Sequence, residues 1–99
     1  MPASVHNTLV AATKRKRAKG VTWKALSGGE EGLLLQLKTG DYFTVNEVGL
    51  KVWEMAEGKT DEEIAAALAR KFEVSAEAAL KDTRTYCRQL ERAGLLITN

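Results

Sequence analysis

Between Gly32 and Trp53 the hydrophobic pattern changes period. Leu33, Leu35 and Leu37 fall on one face of an alternating stretch, and Leu34, Gln36 and Lys38 on the other, which is the two-residue period of a strand. Thr39-Gly40-Asp41 is turn chemistry, because glycine takes positive φ and aspartate bonds its own backbone. Tyr42 to Val45 are aromatic or β-branched, which predicts the return arm of a hairpin. Asn46 then stops the strand. It is a good N-cap, and Glu47 suits the positive end of a helix. Val48, Val52 and Trp53, with Met55 and Ala56, follow at helical spacing. A hairpin thus feeds directly into a helix, and the other elements are expected to pack on that unit.

The flanking sequence extends the pattern. Val21 to Leu26 alternates and reads as a first strand, and the glycines of Ser27–Gly32 mark a loop. Gly58 closes the first helix. Thr60 and Glu63 form a capping box for a second, whose core stripe is Ile64, Leu68 and Phe72, padded by Ala65 and Ala69. Ser75 caps a third helix that Gly94 ends. Its apolar arc holds Leu80, Thr83, Cys87 and Leu90, with Ala79 and Tyr86 at the border, and Leu95-Leu96-Ile97 is expected to tuck against the body. The predicted strands are 22–26, 33–38 and 42–46, and the predicted helices 47–57, 61–72 and 76–93. This is an α+β fold, a winged-helix-like domain with a three-stranded antiparallel sheet followed by a three-helix bundle.

Charge divides the chain. Of its 99 residues, the first twenty carry Lys14, Arg15, Lys16, Arg17 and Lys19 and no acid, while residues 21–99 carry a net charge of −3. Residues 1–20 hold the only proline and the only histidine, and Val5, Leu9 and Val10 begin an apolar pattern that nothing continues. The expectation is a flexible basic tail over 1–20, removable without loss of fold, and a single domain over 21–99. The basic run has no long apolar stretch after it, so no signal peptide is read, and the apolar runs are too short to cross a bilayer. One cysteine forms no internal disulfide and fits a reducing cytoplasm.

Catalytic chemistry finds little material. His6 stands in the tail, apart from Cys87 and from any paired carboxylates, so no nucleophile–base pair is assembled. Cys87 sits in an apolar arc and reads as a small hydrophobe. One Cys and one His do not make a structural zinc site, no phosphate-binding glycine motif is present, and no cofactor is expected. Trp23 and Trp53 read as core. Lys81, Arg84, Arg88 and Arg92 form a basic stripe on the third helix, centred about 140° from its apolar arc at 100° per residue. A capped helix, a short turn and a basic helix resemble a winged helix-turn-helix, which gives nucleic-acid binding as the alternative function. Against it stand the acidic body and the absence of a hairpin after the third helix. A subunit that dimerises through its hairpin edge is a third reading.

The ordered set Gly40, Tyr42, Val45-Asn46, Trp53, Gly58, Thr60, Glu63-Ile64, Asp82, Leu90 and Gly94-Leu95-Leu96 resembles the PqqD-like family. That family comprises coenzyme PQQ synthesis protein D and the recognition elements for ribosomally made, post-translationally modified peptides. The resemblance spans roughly residues 21–97. It implies three strands and three helices, and a non-catalytic adaptor that holds the leader of a precursor peptide and presents it to modifying enzymes. In the family the leader adds a strand at the edge of the third strand, against the third helix. The chain lacks the proline-containing hairpin typical of PQQ synthesis protein D, which favours a stand-alone recognition element of another peptide pathway.

The expected peptide site is therefore the edge of Tyr42, Phe43, Thr44 and Val45, together with Leu80, Arg84 and Arg88 on the third helix. Leu80 would supply an apolar floor, and the arginines a cationic rim for acidic leader residues. The competing choice is the opposite edge of that helix, with Asp82, Tyr86 and Gln89, which would prefer a basic leader. The expected partners are a precursor peptide and a peptide-modifying enzyme, such as a radical SAM enzyme or leader peptidase, with the chain a cytoplasmic monomer bound to neither nucleic acid nor membrane.

Overall fold

The computed structural model describes residues 14–98. In chain order the elements are β1 (Arg15–Arg17), β2 (Val21–Leu26), β3 (Glu31–Gln36), β4 (Tyr42–Asn46), α1 (Glu47–Met55), α2 (Asp61–Phe72), α3 (Ala76–Arg92) and β5 (Leu96–Thr98). Strands β2, β3 and β4 form an antiparallel sheet in that spatial order, and β1 pairs with β5 in a separate antiparallel ribbon. The three predicted strands and three predicted helices are found in order, but two further strands flank them, β1 before and β5 after the helices, where no strand is expected. The boundaries of the predicted elements hold to two residues or better. The central strand is shifted as a whole, beginning and ending two residues earlier than 33–38.

Three local signals set the helix starts. The Asn46 side chain accepts a bond from Gly49 N–H, and Ser75 accepts one from Ala78 N–H. Thr60 and Glu63 make both bonds of the capping box. The helices then bury one stripe each: Leu50, Val52 and Trp53 from α1, Ile64, Ala65 and Leu68 from α2, and Ala79, Thr83, Cys87 and Leu90 from α3. Leu34 brings the central strand into this core, and Leu95 and Leu96 close it. Two glycines permit the close approaches. A Cβ on Gly32 would stand 2.7 Å from Leu50 Cδ1, and one on Gly49 would stand 2.8 Å from Tyr86 Cε1. The first lets α1 lie on β3, and the second lets the Tyr86 ring lie on α1.

Two expectations need correction. Residues 15–17, assigned to a solvated tail, are a half-buried strand. Arg15 explains it. Its guanidinium grips both Asp61 oxygens, at 2.9 and 3.0 Å, and reaches Glu91 Oε1 at 2.8 Å. Arg15 N–H donates to Lys59 C=O, and Arg15 C=O accepts from Gly58 N–H. The Arg15 hydrogen bond holds the Asp61 carboxyl below the usual carboxylate range, and burial pushes the Cys87 thiol beneath it up to about 12. The remainder of the expected tail, with His6, Val5, Leu9 and Val10, lies outside the described residues apart from Lys14 and residues 18–20.

Trp23 is the second correction. It meets buried Trp53 edge-on, with ring centroids 5.4 Å apart, yet stays 40% exposed. Its strand lies at the edge of the sheet, so Trp53 of α1 covers only one side of the ring, and the Arg17 guanidinium lies over it, 4.9 Å from its centroid.

Candidate functional site

Strand β4 is the other edge of its sheet. It pairs with β3 alone among the described residues. The hydrogen-bond parity follows from one bond at the hairpin, where Gln36 N–H donates to Asp41 C=O at 2.8 Å. In an antiparallel ladder bonded pairs alternate with non-bonded ones. Leu34–Phe43 and Gly32–Val45 are then bonded pairs, while Leu35–Tyr42 and Leu33–Thr44 are not. The backbone N–H and C=O groups of Tyr42 and Thr44 consequently point to the free edge. Side chains alternate independently. Phe43 and Val45 pack on the core, and Tyr42 and Thr44 are exposed on the outer face of the sheet.

Helix α3 supplies one residue at the end of this strand. Tyr86 O–H donates to Asn46 Oδ1 at 2.7 Å, and the ring lies over Gly49 beside Val45. The Asn46 side chain thereby caps α1 and anchors α3 to the end of β4 with a single oxygen. Asp82 and Gln89, both exposed, lie on the same flank of the helix at i−4 and i+3 from Tyr86. The flank beside the strand edge therefore carries a phenol, a carboxylate and an amide.

Leu80, Arg84 and Arg88 are brought together, but on the opposite flank. Arg84 Nη2 meets Glu62 Oε2 of α2 at 3.3 Å, and Leu80 borders the cleft between α2 and α3 with Ala65, Ala66 and Ala76. Arg84 and Tyr86, two residues apart, point about 160° apart around the helix axis. The expected set thus divides into a strand edge, with Tyr86 beside it, and a basic flank of α3 that points away from that edge. The periodicity of α3 orders its residues around the axis without saying which side meets the strand. Gly49, one turn into α1, is the sequence signal that a ring seats there.

Among the described residues no helix is long and apolar enough to cross a membrane, and no group of three or more His, Cys, Asp or Glu side chains is placed to hold a metal ion. Cys87 is fully buried and its thiol is protonated near neutral pH, so it is not a poised nucleophile.

The model of one protein family, described as Coenzyme PQQ synthesis protein D (PqqD), matches residues 31–96. No curated protein matches the chain significantly. Among solved structures, TbiB1 in complex with the TbiA(beta) leader peptide is similar at 33% sequence identity and a TM-score of 0.71, over 82% of this chain and 93% of that one. Lasso peptide synthetase B1 complexed with the leader peptide is similar at 20% identity and a TM-score of 0.69, over 85% of this chain and 98% of that one. The solution structure of the PqqD truncation of Methylobacterium extorquens PqqCD, a recognition element for ribosomally synthesised and modified peptides, is similar at 17% identity and a TM-score of 0.69, over 84% of this chain and 87% of that one. The last two show the fold alone.

Proposed function

The chain belongs to the coenzyme PQQ synthesis protein D family, and on that premise we propose that it is a non-catalytic, cytoplasmic adaptor for a ribosomally made precursor peptide. The leader of that peptide adds as a strand to the free edge of β4 and is presented to a modifying enzyme, such as a radical SAM enzyme or leader peptidase. The outward N–H and C=O groups of Tyr42 and Thr44 carry this reading, because an unpaired strand edge is a template for another strand. The relative TbiB1, solved with a leader peptide bound, supports it.

The position of Tyr86 favours a different set of α3 residues. A strand paired to β4 runs beside Asn46 and the Tyr86 flank, so Tyr86, Asp82 and Gln89 are the helix residues that meet it. Backbone bonds supply the sequence-tolerant part of the affinity, and the flank supplies selection. Asp82 favours a basic residue in the leader, and the Tyr86 ring favours an apolar neighbour. Leu80 and Arg84, beside α2, and exposed Arg88 on the same flank are left out of the peptide site.

The test is an NMR titration of the full chain with the leader of the precursor encoded beside it, with the TbiA(beta) leader as a comparison. Shifts are expected at residues 42–46 and at Asp82, Tyr86 and Gln89. Asp82→Lys should weaken a basic leader about tenfold, or 1.4 kcal/mol. Shifts confined to the α2-facing flank of α3, or absent from residues 42–46, would reject the site.

A further inference from the structure

The flank of α3 that faces away from β4 is built for contact. Between α2 and α3 a shallow depression of about 200 Å³ is lined by Ala65, Ala66, Ala76 and Leu80, with Glu62 at its rim. A second, of about 290 Å³, shares Leu80 and runs on along α3 past Lys81, Arg84 and Arg88, with Glu77 at its start. The two adjoin at Leu80, making a shallow groove with small apolar side chains at its α2 end and a rim of cations along α3.

The rim is poorly compensated within the chain. Lys81, Arg84 and Arg88 follow one another at i+3 and i+4, where like charges on a helix repel. Among the described residues only Arg84 has an ion-pair partner, Glu62, and both side chains are more than half exposed, so that pair holds little. The stripe persists on a body whose net charge is −3. Glu62 and Glu77 interrupt the positive field, which disfavours a run of phosphates and suits a segment of few carboxylates around an apolar anchor.

We propose that this groove docks an acidic segment of a second protein, the one that acts on the captured peptide. An apolar side chain of that segment seats over Ala66, Ala76 and Leu80, and its carboxylates meet Lys81, Arg84 and Arg88. The proposal rests on the adaptor reading and extends it. The groove and the β4 edge lie on opposite flanks of α3, so peptide and partner bind together, as presentation requires.

The probe is a short synthetic peptide of glutamates and alanines around a single leucine, titrated into the full labelled chain with and without saturating leader. Shifts are expected at Ala65, Ala66, Ala76, Leu80, Arg84 and Arg88, with an affinity that falls as salt rises and is unchanged by the leader. Arg84→Ala with Arg88→Ala should weaken the probe about tenfold, and so should replacing its leucine by serine, while leader affinity holds within about twofold. Indifference to the leucine would reduce the contact to unspecific attraction and overturn the proposal. Competition between leader and probe would overturn it as well, by making the two surfaces one site. So would tighter binding of duplex DNA through the same arginines. A leader that leaves residues 42–46 unshifted while the probe still occupies the groove would remove the peptide-capture reading and leave the docking surface standing.

Discussion

Strands β1 and β4 are both short and marginal, and they are held in opposite ways. Strand β1 is three basic residues with no apolar pattern, yet it is fastened from several sides. It pairs with β5, exchanges bonds with the Gly58–Lys59 backbone, and spans Asp61 and Glu91 with one guanidinium. Arg17 adds bonds from its own N–H to Glu57 Oε1 and from its guanidinium to Glu54 C=O, each at 2.9 Å. Strand β4 has the aromatic, β-branched sequence of a good strand, but one edge goes unpaired among the described residues. Apolar patterning finds the second and misses the first, because the partners that order β1 are charges far along the chain. The strand that composition makes look dispensable closes the structure, and the strand that looks complete is the one left open.

The largest effect that could break this comparison is truncation. Deleting residues 1–18 strands Asp61 and Glu91 without their cation and removes the partner of β5. At about 1 kcal/mol per lost hydrogen bond the loss is roughly 3 kcal/mol or more. With about 4–8 °C per kcal/mol, a thermal melt should fall by at least ~10 °C. A fall below ~5 °C would mean that β1 is as expendable as its composition suggests.

Proline separates the two faces of the β4 backbone. Val45→Pro removes an N–H bonded to β3 and a side chain that packs on the core, and should cost about 2–3 kcal/mol in chemical denaturation. Thr44→Pro removes an N–H that points outward. It should cost roughly 1 kcal/mol or less of stability while weakening leader binding at least about tenfold. Equal destabilisation by the two would show that the Thr44 N–H is bonded within the sheet and that the free edge of β4 presents other groups.

Acid tests the fastening of β1. The Asp61 carboxyl is depressed by its bonds to Arg15, so the folded form holds the proton less tightly than the unfolded form. That contribution is fully present above the unfolded value of about 3.9 and is lost as pH falls through the lower folded value. Asp61→Asn should cost about 1–3 kcal/mol at neutral pH and flatten the acid limb of the stability profile below pH ~4. An unchanged acid limb would assign it to other carboxylates. At the alkaline end the buried Cys87 thiol, raised to about 12, acts in the opposite sense, with stability falling from about pH 9 upward.

The smallest effect concerns a helix end remote from both strands. Glu73 caps α2 with φ at 54°, in the left-handed region that favours glycine. Glu73→Gly should raise stability by about 0.5–1 kcal/mol and leave leader binding unchanged. A change in leader affinity would show that the α2–α3 link is coupled to β4.

Local chemistry was legible in the sequence. The caps at Asn46, Thr60 and Ser75, the hairpin across Thr39–Asp41 and the buried stripes of the helices each depend on residues within a few positions of one another, and each was found as expected. The open edge of β4 was legible for the same reason, since three strands in hairpin order leave the last one exposed. Which flank of α3 meets that edge was decided only by tertiary structure. Helical periodicity places Tyr86 and Arg84 on opposite sides of one axis, but the rotation of the helix is set by rigid packing, by a ring over Gly49 and a hydroxyl on Asn46, forty residues away. Strand β1 belongs to the same class. Arg15 looks like any tail arginine until folding brings Asp61, Glu91 and Thr98 within reach of a single guanidinium, and interactions over such separations leave no period in the chain.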